Sequence, residues 1–100
     1  MDREMLRHKL ELETHVANWP MVAPHFARGV LVLVGDELDL LDAAVAIAAD
    51  DKNAVAGWLG SGALRRAEDA DAQAFSAEDP RLQFVIVAPF VVARVLGEEA

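Results

Sequence analysis

The stretch that decides the fold is VLVLVGDELDLLDAAVAIAADD, which runs from Val30 to Asp51. Its first five residues are a continuous run of valine and leucine, which is typical of a strand covered on both faces. Gly35 ends this run. The sequence after it predicts an alanine- and leucine-rich helix over 37–49, with Asp36 as its N-cap. A buried strand that leads directly into an apolar helix predicts an α/β domain.

The flanking sequence predicts the other elements. A charged N-terminal stretch without glycine or proline predicts a helix over 2–18, and a short helical turn follows over 24–28. Caps, glycine stops and apolar runs then predict a helix over 51–59, a short strand over 63–67, a short helix over 69–76 and a long strand over 82–95 interrupted at Pro89. Extended structure is favoured after Pro89, with a helix ending at Gly97 as the alternative. We therefore expect a single domain over 1–100, of class α/β with α+β as the alternative, in which helices pack on three or four strands.

Composition excludes several kinds of protein. The 100 residues contain no cysteine, which rules out disulfides, zinc–thiolate sites, iron–sulfur clusters and thiol nucleophiles. The net charge is -8, which repels phosphate backbones and anionic membrane surfaces. We therefore expect no nucleic-acid or membrane partner.

The N-terminus carries charge throughout and lacks the apolar stretch of a signal peptide. The longest apolar run, over 38–49, is interrupted by Asp39 and Asp42 and is shorter than the roughly 20 residues that span a bilayer. These features predict a soluble cytoplasmic protein.

Several short motifs resemble a small bacterial family of about this length that is known only as a domain of unknown function. They are Leu38-Asp39-Leu40, Asp50-Asp51 after Ala48, Trp58-Leu59 with Gly62 and Leu64, and Pro89-Phe90 in an apolar run. The resemblance covers nearly the whole chain. It implies a small soluble protein and brings no activity, ligand or catalytic residue with it.

An acidic cluster is the first candidate site. Asp39 and Asp42 lie three residues apart, so a helix would point both the same way, with Asp36 nearby. Paired carboxylates can bind a hard divalent cation or act as acid and base. The structural alternative is that Asp36 caps the helix, Asp39 favours its dipole and Asp42 marks its solvent face. We favour the structural alternative.

A stripe on the first predicted helix is the second candidate. Glu4, His8, Glu11 and His15 are spaced by four, three and four residues, which places them on one helical face. Carboxylates and imidazoles on adjacent turns can bind zinc or another transition metal. The alternative is a solvated face with weak Glu–His pairs. Since structural zinc normally takes ligands from more than one element, we predict no cofactor and keep a divalent metal as the alternative.

The chain lacks a GxSxG nucleophile motif and a glycine-rich phosphate loop, so catalysis has no sequence support and the prediction leans away from an enzyme. The predicted middle helix is apolar over more than half of its circumference, and one small sheet covers only one side of it, so a second helix or a second subunit must cover the rest. We therefore predict a non-enzymatic protein that acts through self-association, as a homodimer, or through another protein. Trp58, Pro89 and Phe90 are the interface candidates. The alternative is a metal- or ligand-binding protein or enzyme that uses either polar cluster.

Overall fold

A computed structural model describes residues 2–96, which form five helices and one five-stranded mixed sheet. The predicted class is confirmed in its α+β form, with helices packed on a small sheet. The elements in chain order are α1 (Arg3–Leu12), β1 (His15–Asn18), α2 (Trp19–Ala27), β2 (Leu31–Val34), α3 (Leu40–Ala48), α4 (Lys52–Ser61), β3 (Leu64–Arg66), α5 (Asp69–Glu78), β4 (Arg81–Val87) and β5 (Phe90–Val95).

The strand order is β1-β4-β5-β2-β3. Only β2 and β5 run parallel, with Val32 opposite Val92, and the other three neighbouring pairs are antiparallel. β2 and β5 therefore lie inside the sheet, as the continuous apolar run of β2 predicts. The two sheet edges are the short strands β1 and β3.

Helices cover both faces of the sheet. On the first face α1, α3 and α4 pack over a core that includes Val32, Leu64, Val85 and Val92. On the second face α2 and α5 pack over Leu31, Leu33, Leu82, Phe84 and other buried residues. Because side chains alternate along a strand, neighbouring valines and leucines of β2 supply the two cores in turn.

The N-terminal helix is shorter than predicted. It ends at Leu12, and the predicted continuation to residue 18 is wrong because His15–Asn18 form the edge strand β1 against Arg81–Phe84 of β4. Thr14 and Val16 are β-branched residues that suit a strand, and pairing with β4 overrides the helix propensity of their neighbours. This strand raises the count to five rather than three or four.

The segment that was expected to break a helix instead begins one. α2 starts at Trp19, with Pro20 in its first turn, where the missing N–H would have no intrahelical partner anyway. Pro24 lies inside the helix, which extends well beyond the turn predicted over 24–28. Gly29 has a φ of 75°, a left-handed conformation that glycine adopts without strain, and it separates α2 from β2.

Two further boundaries differ from prediction. α3 begins at Leu40, so its cap is Asp39 rather than Asp36, and residues 35–38 form a turn that buries Leu38. The predicted long strand is two antiparallel strands, β4 and β5, joined at Ala88 and Pro89, whose peptide bond is cis. Residues 90–95 are extended as favoured, and Gly97, the predicted end of the alternative helix, lies outside the described residues.

Candidate functional site

The acidic pair at the start of α3 is bound by an arginine from α1. The guanidinium group of Arg7 donates one hydrogen bond to Asp42 and another, of 2.9 Å, to Asp39. The Asp39 carboxylate also accepts from the backbone N–H groups of Leu41 and Asp42. The hydrogen bonds that Arg7 donates to Asp42 and then to Asp39 raise the pKa of Arg7. Asp39 therefore acts as a helix cap, and both carboxylates dock α1 onto α3.

A second ion pair anchors the start of α1. Arg3 donates to Asp51 at 2.8 Å, and Asp51 is also the N-cap of α4, since it accepts from the N–H of Ala54. The Ala54 hydrogen bond, followed by that from Arg3, lowers the pKa of the Asp51 carboxyl. The predicted cap at 50 or 51 is therefore Asp51, whereas Asp50 has a φ of 57° in the turn between α3 and α4.

The structure does not bring the metal candidates of the N-terminus together as a helical stripe. Glu4, His8 and Glu11 lie on α1, but His15 lies on β1, where its ring packs against Phe84 at a centroid distance of 5.7 Å. Within residues 2–96, no group of three or more histidine, aspartate or glutamate side chains has an arrangement that could hold a metal ion. The acidic candidates Asp36, Asp39 and Asp42 form no such group either.

The apolar surface of α3 is covered from within the chain. Residues Leu40, Ala43, Ala44, Val45 and Ala46 are buried, and α1, α4 and the sheet surround them. Of the two kinds of cover expected for this helix, a second helix or a second subunit, the structure shows the first, because α1 and α4 pack on it. The interface candidate Trp58 is half-buried and packs on the same core.

The other two interface candidates lie beside an apolar cleft of about 400 Å³ on the first face. Phe90 is half-buried and lines this cleft, and the exposed Pro89 precedes it in the β4–β5 connection. The cleft opens between the end of α3, the helix α4 and the sheet, and its lining residues are Val32, Ala46, Ile47, Asp50, Asp51, Lys52, Val55, Ala56, Leu59, Leu64, Arg66 and Phe90. We call it the α4 cleft.

Most of the large exposed apolar side chains lie elsewhere, on elements at or next to the β1 edge of the sheet, and they are spread over both of its faces. They are Met5 and Leu12 on α1, Val16 on β1, Met21 on α2 and Ile86 on β4. Leu12 is 72% exposed and Met21 is 67% exposed. We call these five residues the N-terminal edge patch. On α1, Met5 and Leu12 are exposed, whereas Leu6 and Leu10 pack on the first core.

Comparison with known protein families gives a match over nearly the whole chain. A family model described as "Protein of unknown function (DUF2288)" matches residues 5–95, nearly all of the described chain. The chain belongs to the DUF2288 family. The resemblance that its motifs suggested is thereby confirmed.

A solved structure supports the fold of this DUF2288 protein. The solution NMR structure of PA1075 from Pseudomonas aeruginosa is 43% identical to it, with a TM-score of 0.82, and the match covers 96% of this chain and 89% of that one. Comparison with curated proteins gives no match. None of the helices described for the DUF2288 chain has the length and apolar content needed to cross a bilayer.

Proposed function

We propose that this DUF2288 protein is a non-enzymatic, cytoplasmic bacterial protein that acts by associating with a second copy of itself through the N-terminal edge patch. The observation that carries the proposal is the grouping of exposed side chains. Five of the seven large apolar residues that are exposed among residues 2–96 belong to α1, β1, α2 or the strand that pairs with β1. Exposed apolar side chains on neighbouring elements support an interaction surface at this edge of the sheet.

The geometry of β1 suits a two-fold pairing. Leu96 donates its N–H to the carbonyl of Arg81, so the backbone groups of Arg81 point towards β5. Because successive residues of a strand direct their N–H and C=O groups to opposite sides, those of Leu82 and Phe84 point towards β1. Their partners on β1 are Ala17 and His15. Val16 lies between these two residues and therefore directs its own N–H and C=O away from the sheet. A two-fold axis beside Val16 would pair two β1 strands antiparallel, which is the arrangement that a symmetric dimer requires.

The side chains of α1 would supply most of the dimer's binding energy. β1 has only four residues, and short edge strands by themselves resist pairing. Met5 and Leu12 lie seven residues apart on one face of α1 and line a shallow surface groove with His8 and Lys9. Burial of such side chains against a second copy stabilises association at roughly 25 cal/mol per Å² of apolar surface removed from water.

Sedimentation equilibrium at micromolar concentration tests this proposal with a matched pair of variants. Leu12→Asp introduces a charge into the patch and should raise the dimer dissociation constant by about tenfold or more. Leu59→Asp makes the same change at a residue that is 54% exposed on α4, outside the patch, and should leave the constant unchanged.

A wild-type protein that sediments only as a 10.8 kDa monomer would overturn self-association. Equal weakening by Leu12→Asp and Leu59→Asp would overturn the assignment of the interface to the N-terminal edge patch. Circular dichroism of both variants separates these outcomes from loss of the fold.

A further inference from the structure

We propose that the α4 cleft binds a small amphipathic carboxylate, with the apolar tail on the floor of the cleft and the carboxylate at Arg66 and Lys52. This site lies apart from the N-terminal edge patch and does not depend on self-association. The ligand class follows from the apolar floor, the charges at the mouth and the volume of the cleft.

The floor and walls of the α4 cleft are apolar. Val32, Leu64 and Phe90 come from three neighbouring strands and form the floor on the first face of the sheet. Ile47 from α3, with Val55 and Leu59 from α4, forms the walls, and none of these six side chains carries a hydrogen-bonding group. An alkyl or aryl group bound on this surface would be stabilised, because apolar area on both is removed from water.

Two basic residues line the same cleft. Val32 pairs with Arg66 across β2 and β3, so both side chains leave the sheet on the first face. Lys52 is the first residue of α4. Arg66 and Lys52 are both exposed, and neither forms an ion pair with another residue in the range 2–96. Two cations beside an apolar cleft are unexpected on a chain whose net charge is -8.

The acidic residues of the cleft reduce this positive charge without cancelling it. Asp51 is engaged by Arg3 and by the N–H of Ala54, so its charge is already balanced. Asp50 carries one negative charge against the two positive charges of Lys52 and Arg66. After its cap Asp51, the first turn of α4 contains no further acidic residue. The net charge there favours a single carboxylate and disfavours a polyanion.

The size of the cleft limits the ligand. A volume of about 400 Å³ is near the lower end of the range of small-molecule sites, which run from roughly 300 to 1,000 Å³. A medium-chain carboxylate fits these dimensions better than a nucleotide or a folded partner. Arg66 can bind a carboxylate with two parallel hydrogen bonds, a geometry that Lys52 cannot supply.

Three matched probes separate the contributions of tail and head group. Octanoate, octanol and octylammonium share one tail, and each is titrated into full-length protein while amide chemical shifts are followed by NMR. We expect octanoate to bind at least about tenfold more tightly than octylammonium, with shifts centred on residues 46–56, 64–66 and 90.

Variants test the residues themselves. Arg66→Gln should weaken octanoate binding by about tenfold and leave octanol binding unchanged, because a charge-assisted pair is lost. Arg28→Gln removes the same charge from the end of α2, on the other face, and serves as the control. Ala56→Phe narrows the cleft and should weaken octanoate and octanol together.

The possible outcomes lead to distinct conclusions. If octanoate does not bind, or if octylammonium binds equally well, the proposal is overturned. Shifts centred on Met5 and Leu12 would instead assign the detergent-like probes to the N-terminal edge patch and would also overturn it. Equal effects of Arg66→Gln and Arg28→Gln would show that total charge, rather than the α4 cleft, governs binding.

Discussion

The two faces of the sheet are built from different side chains. On the first face the central helix α3 contributes Ala43, Ala44 and Ala46, which are at most 1% exposed, so the helix backbone lies close to the sheet. On the second face Trp19 packs between two aromatic rings, with centroid distances of 6.0 Å to Phe26 and 5.2 Å to Phe75. On the first face, small side chains let the helix lie close to the sheet. On the second face, large aromatic rings fill the space between the helices and the sheet.

This difference has consequences for stability. Three helices cover the first face, so no single side chain accounts for much of its core. Among residues 2–96, two helices cover the second face, α2 and α5, and Trp19 contacts aromatic residues of both. Truncation of one large side chain should therefore destabilise the second core strongly. Enlargement of one small side chain should destabilise the first core.

The largest expected effect comes from the two tryptophans. Trp19→Ala should lower the free energy of unfolding by about 3–5 kcal/mol, since it removes a buried indole that packs against Phe26 and Phe75. Trp58→Ala should cost less than half as much, because Trp58 is half-buried at the margin of the first core. Urea denaturation of both variants measures the difference. Equal losses would show that the second face does not depend on one central ring.

An overpacking variant tests the first face. Ala44 is fully buried, so Ala44→Leu should lower the free energy of unfolding by about 1–3 kcal/mol by forcing α3 away from the sheet.

The control for this change is Ala48→Leu, which adds the same atoms at an exposed position of α3 and should change stability by less than about 0.5 kcal/mol. Thermal unfolding of the two variants compares them. A tolerated Ala44→Leu would mean that the first core can expand and is not close-packed.

The first face could be predicted largely from sequence, whereas on the second face α5 was predicted and α2 was not. The run VLVLV and the alanine-rich helix after it carry strong local signals, and both are present near the predicted positions. α2 was reduced to a short turn because Pro20 and Pro24 are poor helix formers, yet Trp19 and Val22 gain enough by burial to hold the helix. β1 was missed because its register with Arg81–Phe84 is a contact distant in sequence.

The polar clusters show the same limit. Spacing could place Asp39 and Asp42 near each other, but it could not show that Arg7, distant in sequence, binds both. The stripe that ended at His15 assumed one continuous helix, and the change from α1 to β1 separates its last member from that face. The α4 cleft had no sequence signal of its own, because its residues come from two helices and three strands.

The smallest expected effect contrasts one carboxylate from each face. On the second face Asp71 accepts two hydrogen bonds of 2.7 Å from Arg65 and one of 2.8 Å from the N–H of Glu68, and its side chain is only 17% exposed. The bond from Arg65, and then that from Glu68, lowers the pKa of Asp71 against the opposing effect of burial. We expect Asp71→Asn to cost about 1 kcal/mol at neutral pH, because Arg65 is half-exposed and water screens the pair.

The stabilising effect of Asp71 should depend on pH in a direction that follows from its lowered pKa. A carboxyl whose pKa is lowered by folding contributes stability that is fully present above its unfolded pKa of about 3.9 and is lost as the pH falls through the native value. The stability difference between wild type and Asp71→Asn should therefore be constant near neutrality and shrink below about pH 4. Asp42→Asn, at the half-exposed Arg7 pair of the first face, should change stability by less than about 0.5 kcal/mol. Chemical denaturation across this pH range compares the two, and an equal cost at both sites would mean that burial and the cap at Glu68 add nothing to the Arg65–Asp71 pair.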